Sequence, residues 1–292
     1  IIEALDAGEK VSREAWFTLT PSEDLEKRSE VATSYPQEEM AQPPAGAGPS
    51  NAHELAKKLQ NPIASLISVP IQFNWDTGIG DKDADRLLID VETVIPISLG
   101  EDWNLISRTI TPVVYAESPA NGINSDFGLG DINLTLFLSP AKAEKLIWAV
   151  GPVFVFPSAT ENTLGTDKWS AGPSLVALTI RGPWVVGLLA NNVWSFAGDD
   201  DRKDVNQFLL QYFINYNLPN GWYLITDIII TANWEASSSN TWTVPLGGGV
   251  GKLFKIGDQA MNARTEAYYN IEKPDGAPDW QWGFTLQFLF PK

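Results

Sequence analysis

The sequence predicts an all-β fold class, a transmembrane antiparallel β-barrel of about 12 strands, from three observations. Apolar and polar side chains alternate along most of the chain after residue 60, the strand candidates are even in number, and short connections alternate with long ones. Alternation with a period of two gives each strand one face for lipid and one for a wet lumen. An even strand number with short turns on one side is typical of bacterial outer-membrane barrels.

Residues 1–60 precede the predicted barrel and differ from it in composition. They contain an acidic cluster around Glu23, a Pro/Ala/Gly-rich run over 42–49 and one short helical candidate over 51–59. This composition predicts a periplasmic extension or linker. A second hypothesis is that the part around Trp16 and Phe17 folds into the barrel as a plug.

Residues 61–292 are predicted to form the barrel. The strand candidates span 63–75, 86–98, 103–115, 128–139, 146–156, 169–180, 184–196, 205–217, 222–234, 241–253, 260–270 and 280–290. The last one alternates most clearly, because large apolar residues fill one of its faces: Trp280, Trp282, Phe284, Leu286, Phe288 and Phe290. A soluble β-sandwich strand can also alternate, but an apolar face of this size favours contact with lipid.

The connections between these candidates fall into two classes. Short turns are expected in the periplasm, at 98–102, 140–145, 181–183, 218–221 and 255–258. Longer and more acidic loops are expected on the outside, at 76–85, 116–127, 157–168, 197–204, 235–240 and 271–279. The asymmetry does not depend on the strand periodicity, so it supports the barrel independently.

Most of the 12 tryptophans lie near predicted strand ends. An indole has an apolar body and one N–H donor, which favours the boundary between hydrocarbon and headgroups. These residues are therefore predicted to form two aromatic girdles at the membrane interfaces: Trp75, Trp103, Trp169, Trp184, Trp194, Trp222, Trp234, Trp242 and Trp280. The alternative is that they pack a soluble core.

Composition limits the functions that are open to this chain. The formal net charge of −16 over 292 residues argues against a nucleic-acid partner, which requires clustered Lys and Arg. The single histidine, His53, lies before the first predicted strand, so no strand or outer loop supplies an imidazole base. The sequence therefore predicts no catalytic residue, no enzyme activity and no cofactor.

Several motifs after residue 61 are shared with a known family. They are GPVFVFP at 151–157, the glycine-bounded segment 165–172, GPW at 182–184, NNVWSFAG at 191–198, TVPLGGGVGKLFKIG at 243–257, AYYN at 267–270, PDG at 274–276 and FLFP at 288–291. Together they resemble the outer-membrane transporter family associated with phenol degradation, of the MetA-pathway type, some of whose members are labelled neuromedin U. The resemblance covers residues 62–292. It implies a β-barrel in the outer membrane of a Gram-negative-type bacterium and passage of small, aromatic or hydrophobic compounds, and it implies no individual functional residue.

Strand parity identifies charged residues on the predicted inner faces. They are predicted to line the lumen: Asp90, Glu92, Arg108, Asp131, Asp227, Arg264 and Glu266. Facing lipid would be costly for these groups. Two interpretations stay open, a structural network that fills a narrow lumen and an eyelet that selects solutes.

Two predicted outer loops carry clustered carboxylates. One set is Asp76, Asp81, Asp83 and Asp85, and the other is Asp199, Asp200, Asp201 and Asp204. Carboxylate oxygens are ligands for Ca²⁺ and Mg²⁺, but no complete calcium-loop motif is present. The second set is therefore a weak candidate for a metal site, and the solvated rim is the ordinary interpretation.

These observations favour a non-enzymatic channel or transporter for small molecules. The alternatives are a closed structural or adhesive barrel that binds a partner through its loops or N-terminal segment, and a soluble secreted β-sandwich. The predicted partners are outer-membrane lipid and lipopolysaccharide, a small-molecule solute and the barrel-insertion machinery. The last of these follows from residues 281–290, which resemble the C-terminal signal that this machinery reads. Residues 1–60 are a candidate contact for a periplasmic protein.

Overall fold

Extended strands form wherever the two-residue alternation runs through the chain, and their ladders close into a ring. The computed structural model describes residues 67–142 and 145–290. Its strands are β1 (Ile67–Ile79), β2 (Ala84–Leu99), β3 (Trp103–Ala116), β4 (Asp126–Leu129), β5 (Ile132–Pro140), β6 (Ile147–Phe156), β7 (Lys168–Arg181), β8 (Trp184–Gly198), β9 (Asn206–Asn217), β10 (Trp222–Asn233), β11 (Trp242–Ile256), β12 (Gln259–Glu272) and β13 (Trp280–Phe290).

Every strand pairs antiparallel with its neighbours, and the first and last strands close the barrel. The closing ladder of β1 and β13 runs from Ile67 opposite Phe290 to Thr77 opposite Trp280. Both β4 and β5 pair with β3, end to end, so the 13 strand segments make a 12-strand barrel. The predicted fold class is therefore confirmed.

The barrel has two ends, which we call the turn end and the loop end. The turn end carries the connections that follow β2, β5, β7, β9 and β11. One of them is the tight turn Pro219–Gly221, where Asn220 and Gly221 have φ of 61° and 79°. Glycine adopts this left-handed region at little steric cost, so the predicted Pro-Asn-Gly turn forms as expected.

The predicted first loop, 76–85, is wrong in its bounds. β1 continues to Ile79 and β2 begins at Ala84, so only four residues connect them. The aspartate that suggested a loop, Asp76, is 1% exposed and accepts hydrogen bonds from Arg86 and Gln281. A partnered acidic side chain on the inner face continues the strand pattern, and Asp76 does not belong to an acidic outer rim.

The predicted strand 128–139 is interrupted at Gly130 and Asp131. On either side of this break, backbone N–H groups form hydrogen bonds with a loop instead of a strand. Leu129 N–H donates to Thr160 Oγ1, and Ile132 N–H donates to Ser158 Oγ. The break is thus the place where the connection 157–167 joins the sheet.

The tryptophans predicted for the girdles all project from the outer surface with 38–52% exposure. Trp103, Trp184 and Trp222 begin strands at the turn end, and the other six lie toward the loop end. Rings of neighbouring strands contact each other, as in the edge-to-face pair of Trp234 and Trp242 at 5.4 Å. Between the two ends the outer surface exposes aliphatic side chains such as Leu175 and Leu224. Their place at a membrane interface stays a prediction.

In the described part of the chain, no helix has the length and apolar character needed to cross a membrane. The predictions for residues 1–60, including the helix over 51–59, the plug around Trp16 and Phe17, and the position of His53, lie outside the described residues.

Candidate functional site

Six of the seven charged residues predicted for the lumen come together on the inner faces of four strands. We call this set the charged cluster: Asp90 and Glu92 of β2, Arg108 of β3, Asp227 of β10, and Arg264 and Glu266 of β12. The strand register places the Arg264 side chain on the inner face, because Arg264 is paired with buried Thr285 on β13 and with Gly251 on β11.

On one side of the cluster, Arg108 and Glu92 form a two-pronged ion pair. Arg108 Nε lies 2.9 Å from Glu92 Oε1, and the second guanidinium nitrogen lies 2.8 Å from Oε2. The parallel geometry fits the planar fork of arginine to both carboxylate oxygens. Both side chains are mostly buried, with 16% and 8% exposure, so the pair is held rigidly within the lumen.

On the other side, Arg264 pairs with two carboxylates. Its Nε lies 2.8 Å from Glu266 Oε2, and its Nη2 lies 3.4 Å from Asp227 Oδ2. Gln211 donates to the other Asp227 oxygen at 2.8 Å. Leaving such a buried charge without partners is costly, so these groups stabilise one another.

Two tyrosines that were not predicted as site residues complete this side. Tyr268 donates from its hydroxyl to Glu266 at 2.8 Å and accepts a bond from the backbone N–H of Asp227 at 2.8 Å. Tyr223 donates to Asn262 at 2.8 Å, and a Cβ at Gly251 would overlap its ring. Because Gly251 has no side chain, the Tyr223 ring can lie directly against the backbone of β11.

A narrow cavity of about 120 Å³ passes beside the charged cluster. Residues of β1, β2, β3, β8, β9, β10, β12 and β13 line it, so it lies near the barrel axis. Its lining includes Arg108, Asp227 and Arg264 together with Leu189 and Phe213. The cavity at the loop end is about five times as large.

The apolar residues beside the cavity belong to a larger group, the apolar cluster, toward the turn end. Its buried members are Val94, Ile106, Phe137, Ala149, Val176, Leu178, Val185, Leu189 and Phe213. They come from β2, β3 and β5 to β9 and pack against one another on that side of the lumen. The cavity therefore has a charged wall and an apolar wall.

The seventh predicted residue, Asp131, lies apart from the charged cluster. It sits at the break between β4 and β5 and accepts bonds from the backbone N–H groups of Ala159 and Thr166 and from the Thr166 hydroxyl. It also lines a wider cavity of about 640 Å³ at the loop end, which we call the vestibule.

The wall of the barrel contains an apolar groove of about 770 Å³ on β6, β7, β8 and β9. Pro152 and Pro173 stand opposite each other there, and neither has an N–H for the ladder. Gly172 and Pro173 also have no paired residue on β8. This stretch of wall is held by fewer backbone hydrogen bonds than an unbroken ladder would provide.

The weak metal candidates are used in other contacts. Asp199 Oδ1 accepts a bond from the backbone N–H of Asp201, and Asp204 Oδ1 lies 3.4 Å from Lys168 Nζ. Within the described ranges, no three acidic or histidine side chains are grouped so that they could hold a metal ion. The suggestion of a metal site at Asp199, Asp200, Asp201 and Asp204 gains no support from this geometry.

Sequence reasoning did not single out several residues that line the lumen, and the signal for each differs. Tyr268 shares parity with Arg264 and Glu266, so counting by two from either would have found it. Gln211 lies on the polar face of its strand. Arg202 gave no signal, because it stands in an acidic loop and its partners lie in another loop.

Comparison with known proteins identifies one family and one shared fold. A family model described as "Putative MetA-pathway of phenol degradation" matches residues 86–292. The COG4313 outer membrane channel from Pseudomonas putida F1 superimposes with a TM-score of 0.61 at 14% identity, over 77% of this chain and 96% of that one. Curated protein sequences give no match.

Two further solved structures are more distant. The NanC porin has a TM-score of 0.48 at 10% identity, over 77% of this chain and all of that one. CymD, described as a monoaromatic hydrocarbon channel, has a TM-score of 0.45 at 10% identity, over 83% of this chain and 91% of that one. The likeness to the COG4313 channel shows a shared β-barrel fold, and the location in the outer membrane stays a prediction.

Proposed function

Because the chain belongs to the family described as the MetA pathway of phenol degradation and folds as a closed β-barrel, we propose that it lies in the outer membrane and passes small apolar or aromatic molecules across it. The family resemblance seen in the sequence motifs is confirmed by this match. The proposed role is non-enzymatic, since passage makes and breaks no covalent bond.

The observation that carries the proposal is the two-sided lining of the central cavity. Phe213 and Leu189 offer apolar surface to one side of a solute, while Arg108, Asp227 and Arg264 offer hydrogen-bond donors and acceptors to the other. A small ring with one polar substituent matches both walls at once. A fully polar lumen would offer such a ring no apolar contact, and a fully apolar one would leave its polar group unpaired.

The charges in the cluster predict cation preference. Four acidic residues, Asp90, Glu92, Asp227 and Glu266, stand beside two arginines, so the formal charge of the cluster is negative. A ring of excess carboxylates lowers the barrier for cations and raises it for anions. We therefore expect small currents carried mainly by cations.

Single-channel recording in planar bilayers tests the proposal with two opposed variants. We expect Arg264→Gln to increase the cation preference and Asp227→Asn to reduce it, because each removes one charge beside the cavity. The measurement is the reversal potential in a salt gradient. Folding of each variant is checked by its heat-modifiable electrophoretic mobility.

The narrowness of the cavity favours a second candidate, a closed structural or adhesive barrel. In that case folded and inserted protein would carry no current and would release no small aromatic acid from liposomes. Current with identical reversal potentials in both variants would instead mean that the cluster is a structural network away from the ion path.

The groove in the wall offers apolar solutes a lateral route. Its lining includes Val150 and Leu175, which project outward, and their neighbours Gly151 and Ser174, which have inward parity. Replacing Pro173 by alanine would restore an N–H to the ladder there. We expect this change to slow the flux of an apolar solute while leaving ionic current unchanged, which separates the two routes.

A further inference from the structure

The connection between β6 and β7, residues 157–167, folds into the mouth of the barrel. We call it the inner loop. Gly128 has inward parity, since it stands opposite buried Val114, and the space where its side chain would lie is filled by Thr160 and Leu164. Only glycine allows such an approach of the loop to the inner face of β4.

The inner loop is anchored on one side by the broken strand. Asp131 accepts bonds from Thr166 N–H at 2.7 Å, from the Thr166 hydroxyl at 2.8 Å and from Ala159 N–H at 3.3 Å. Thr160 contributes two more contacts, donating its N–H to the carbonyl of Leu129 and accepting the N–H of the same residue on its hydroxyl.

The opposite side of the inner loop is held by one side chain from the connection between β8 and β9. Arg202 donates to the carbonyl oxygens of Asn162 at 2.8 Å, Gly165 at 2.5 Å and Thr166 at 3.4 Å. Its Nε also lies 3.3 Å from Asp167 Oδ2. A guanidinium has five N–H donors in a fixed fork, so one arginine can hold several carbonyls of a loop at once.

The position of the inner loop determines the width of the vestibule. Leu88, Pro112 and Val114 line the vestibule from the barrel wall, and Leu164 and Arg202 line it from the opposite side. A solute that reaches the charged cluster from the loop end passes between these two sides. The inner loop therefore forms one side of the vestibule.

We propose that Arg202 is a positioning residue that sets the size limit of the passage by latching the inner loop inside the barrel mouth. The proposal rests on the proposed passage function and adds to it the residue that excludes larger solutes. Without Arg202 the inner loop keeps its contacts with β4, β5 and Asp131 and the backbone bond from Asp199 N–H to the Asp167 carbonyl, but the carbonyls of Asn162, Gly165 and Thr166 lose their donor. We expect that part of the loop to swing outward and the vestibule to widen.

Arg202→Ala tests the latch, with Lys203→Ala as the matched control. Both variants remove one positive charge from the same connection, but of these two side chains only Arg202 has described contacts with the inner loop. We expect Arg202→Ala to raise single-channel conductance about twofold and to admit larger polyethylene glycols, because the opening widens. Lys203→Ala should keep both values of the unchanged protein, and Arg202→Lys should restore part of the size limit.

Hydrogen exchange provides a readout that does not depend on current. We expect amides of the inner loop to exchange about tenfold faster in Arg202→Ala than in Lys203→Ala, since local opening becomes easier. Equal exchange and an unchanged size limit in folded Arg202→Ala would overturn the latch while leaving the passage function intact. Absence of flux in every protein, with folded barrels inserted, would overturn the proposed function and the size limit together.

Discussion

The charged cluster and the apolar cluster occupy the same lumen but are stabilised in different ways. Arg264 is held by specific partners, Glu266 and Asp227, at fixed distances. Phe137 and its neighbours in the apolar cluster are held by close packing, with 1% exposure of the Phe137 side chain. Hydrogen-bonded charges depend on the geometry of particular atoms, whereas packed side chains depend on volume.

The difference indicates that the two clusters have different roles in the barrel, one in stability and one in electrostatics. The apolar cluster packs along one side of the lumen toward the turn end and contributes stability without adding charge. The charged cluster faces the cavity and controls the local electrostatic field, at the cost of desolvating its ions. Changes to the two clusters should therefore separate stability from ion selectivity.

The largest effect is expected from removing a side chain of the apolar cluster. Phe137→Ala should lower the free energy of unfolding by about 3–5 kcal/mol, because it removes buried surface and leaves a cavity. Unfolding in urea with detergent micelles measures this change, and Leu138→Ala on the outer face of the same strand is the control. The reversal potential should stay unchanged; a shift would show that the apolar cluster also contributes to selectivity.

A smaller effect is expected where the backbone of β11 makes room for a tyrosine. Gly251→Ala should destabilise the barrel by about 1–3 kcal/mol, because the new methyl group overlaps the Tyr223 ring. Gly283→Ala is the control on another inward position, where the nearest atom to the added Cβ lies at an ordinary 3.6 Å. Equal stability of the two variants would mean that the ring moves aside freely.

The smallest effect is expected from removing one hydroxyl beside the charged cluster. Tyr268→Phe should cost about 1 kcal/mol of unfolding free energy, because the Asp227 N–H and Glu266 each lose a partner. Tyr269→Phe, on the exposed outer face, should cost nothing measurable. If both variants matched the unchanged protein, a water molecule would be replacing the Tyr268 hydroxyl.

The parts that could be predicted from the sequence are those that depend on local pattern. The alternation of Trp280 to Phe290 identified the last strand, and the Pro219–Gly221 turn formed where its residues predicted it. Asp76 shows the limit of that reasoning, since its charge suggested a loop while its parity placed it inside. The rule that aspartate favours loops fails at this position, because an ion pair with Arg86 stabilises the Asp76 carboxylate inside the barrel.

The sequence by itself determined the all-β barrel, its strand number and the inner-face positions of Arg108 and Arg264, because a period of two is a property of neighbouring residues. Only the tertiary structure decided that Arg264 reaches Asp227 two strands away and that Arg202 holds the inner loop. These contacts join residues far apart in the chain. They depend on closure of the ring and on how a loop folds back into it, which no local pattern records.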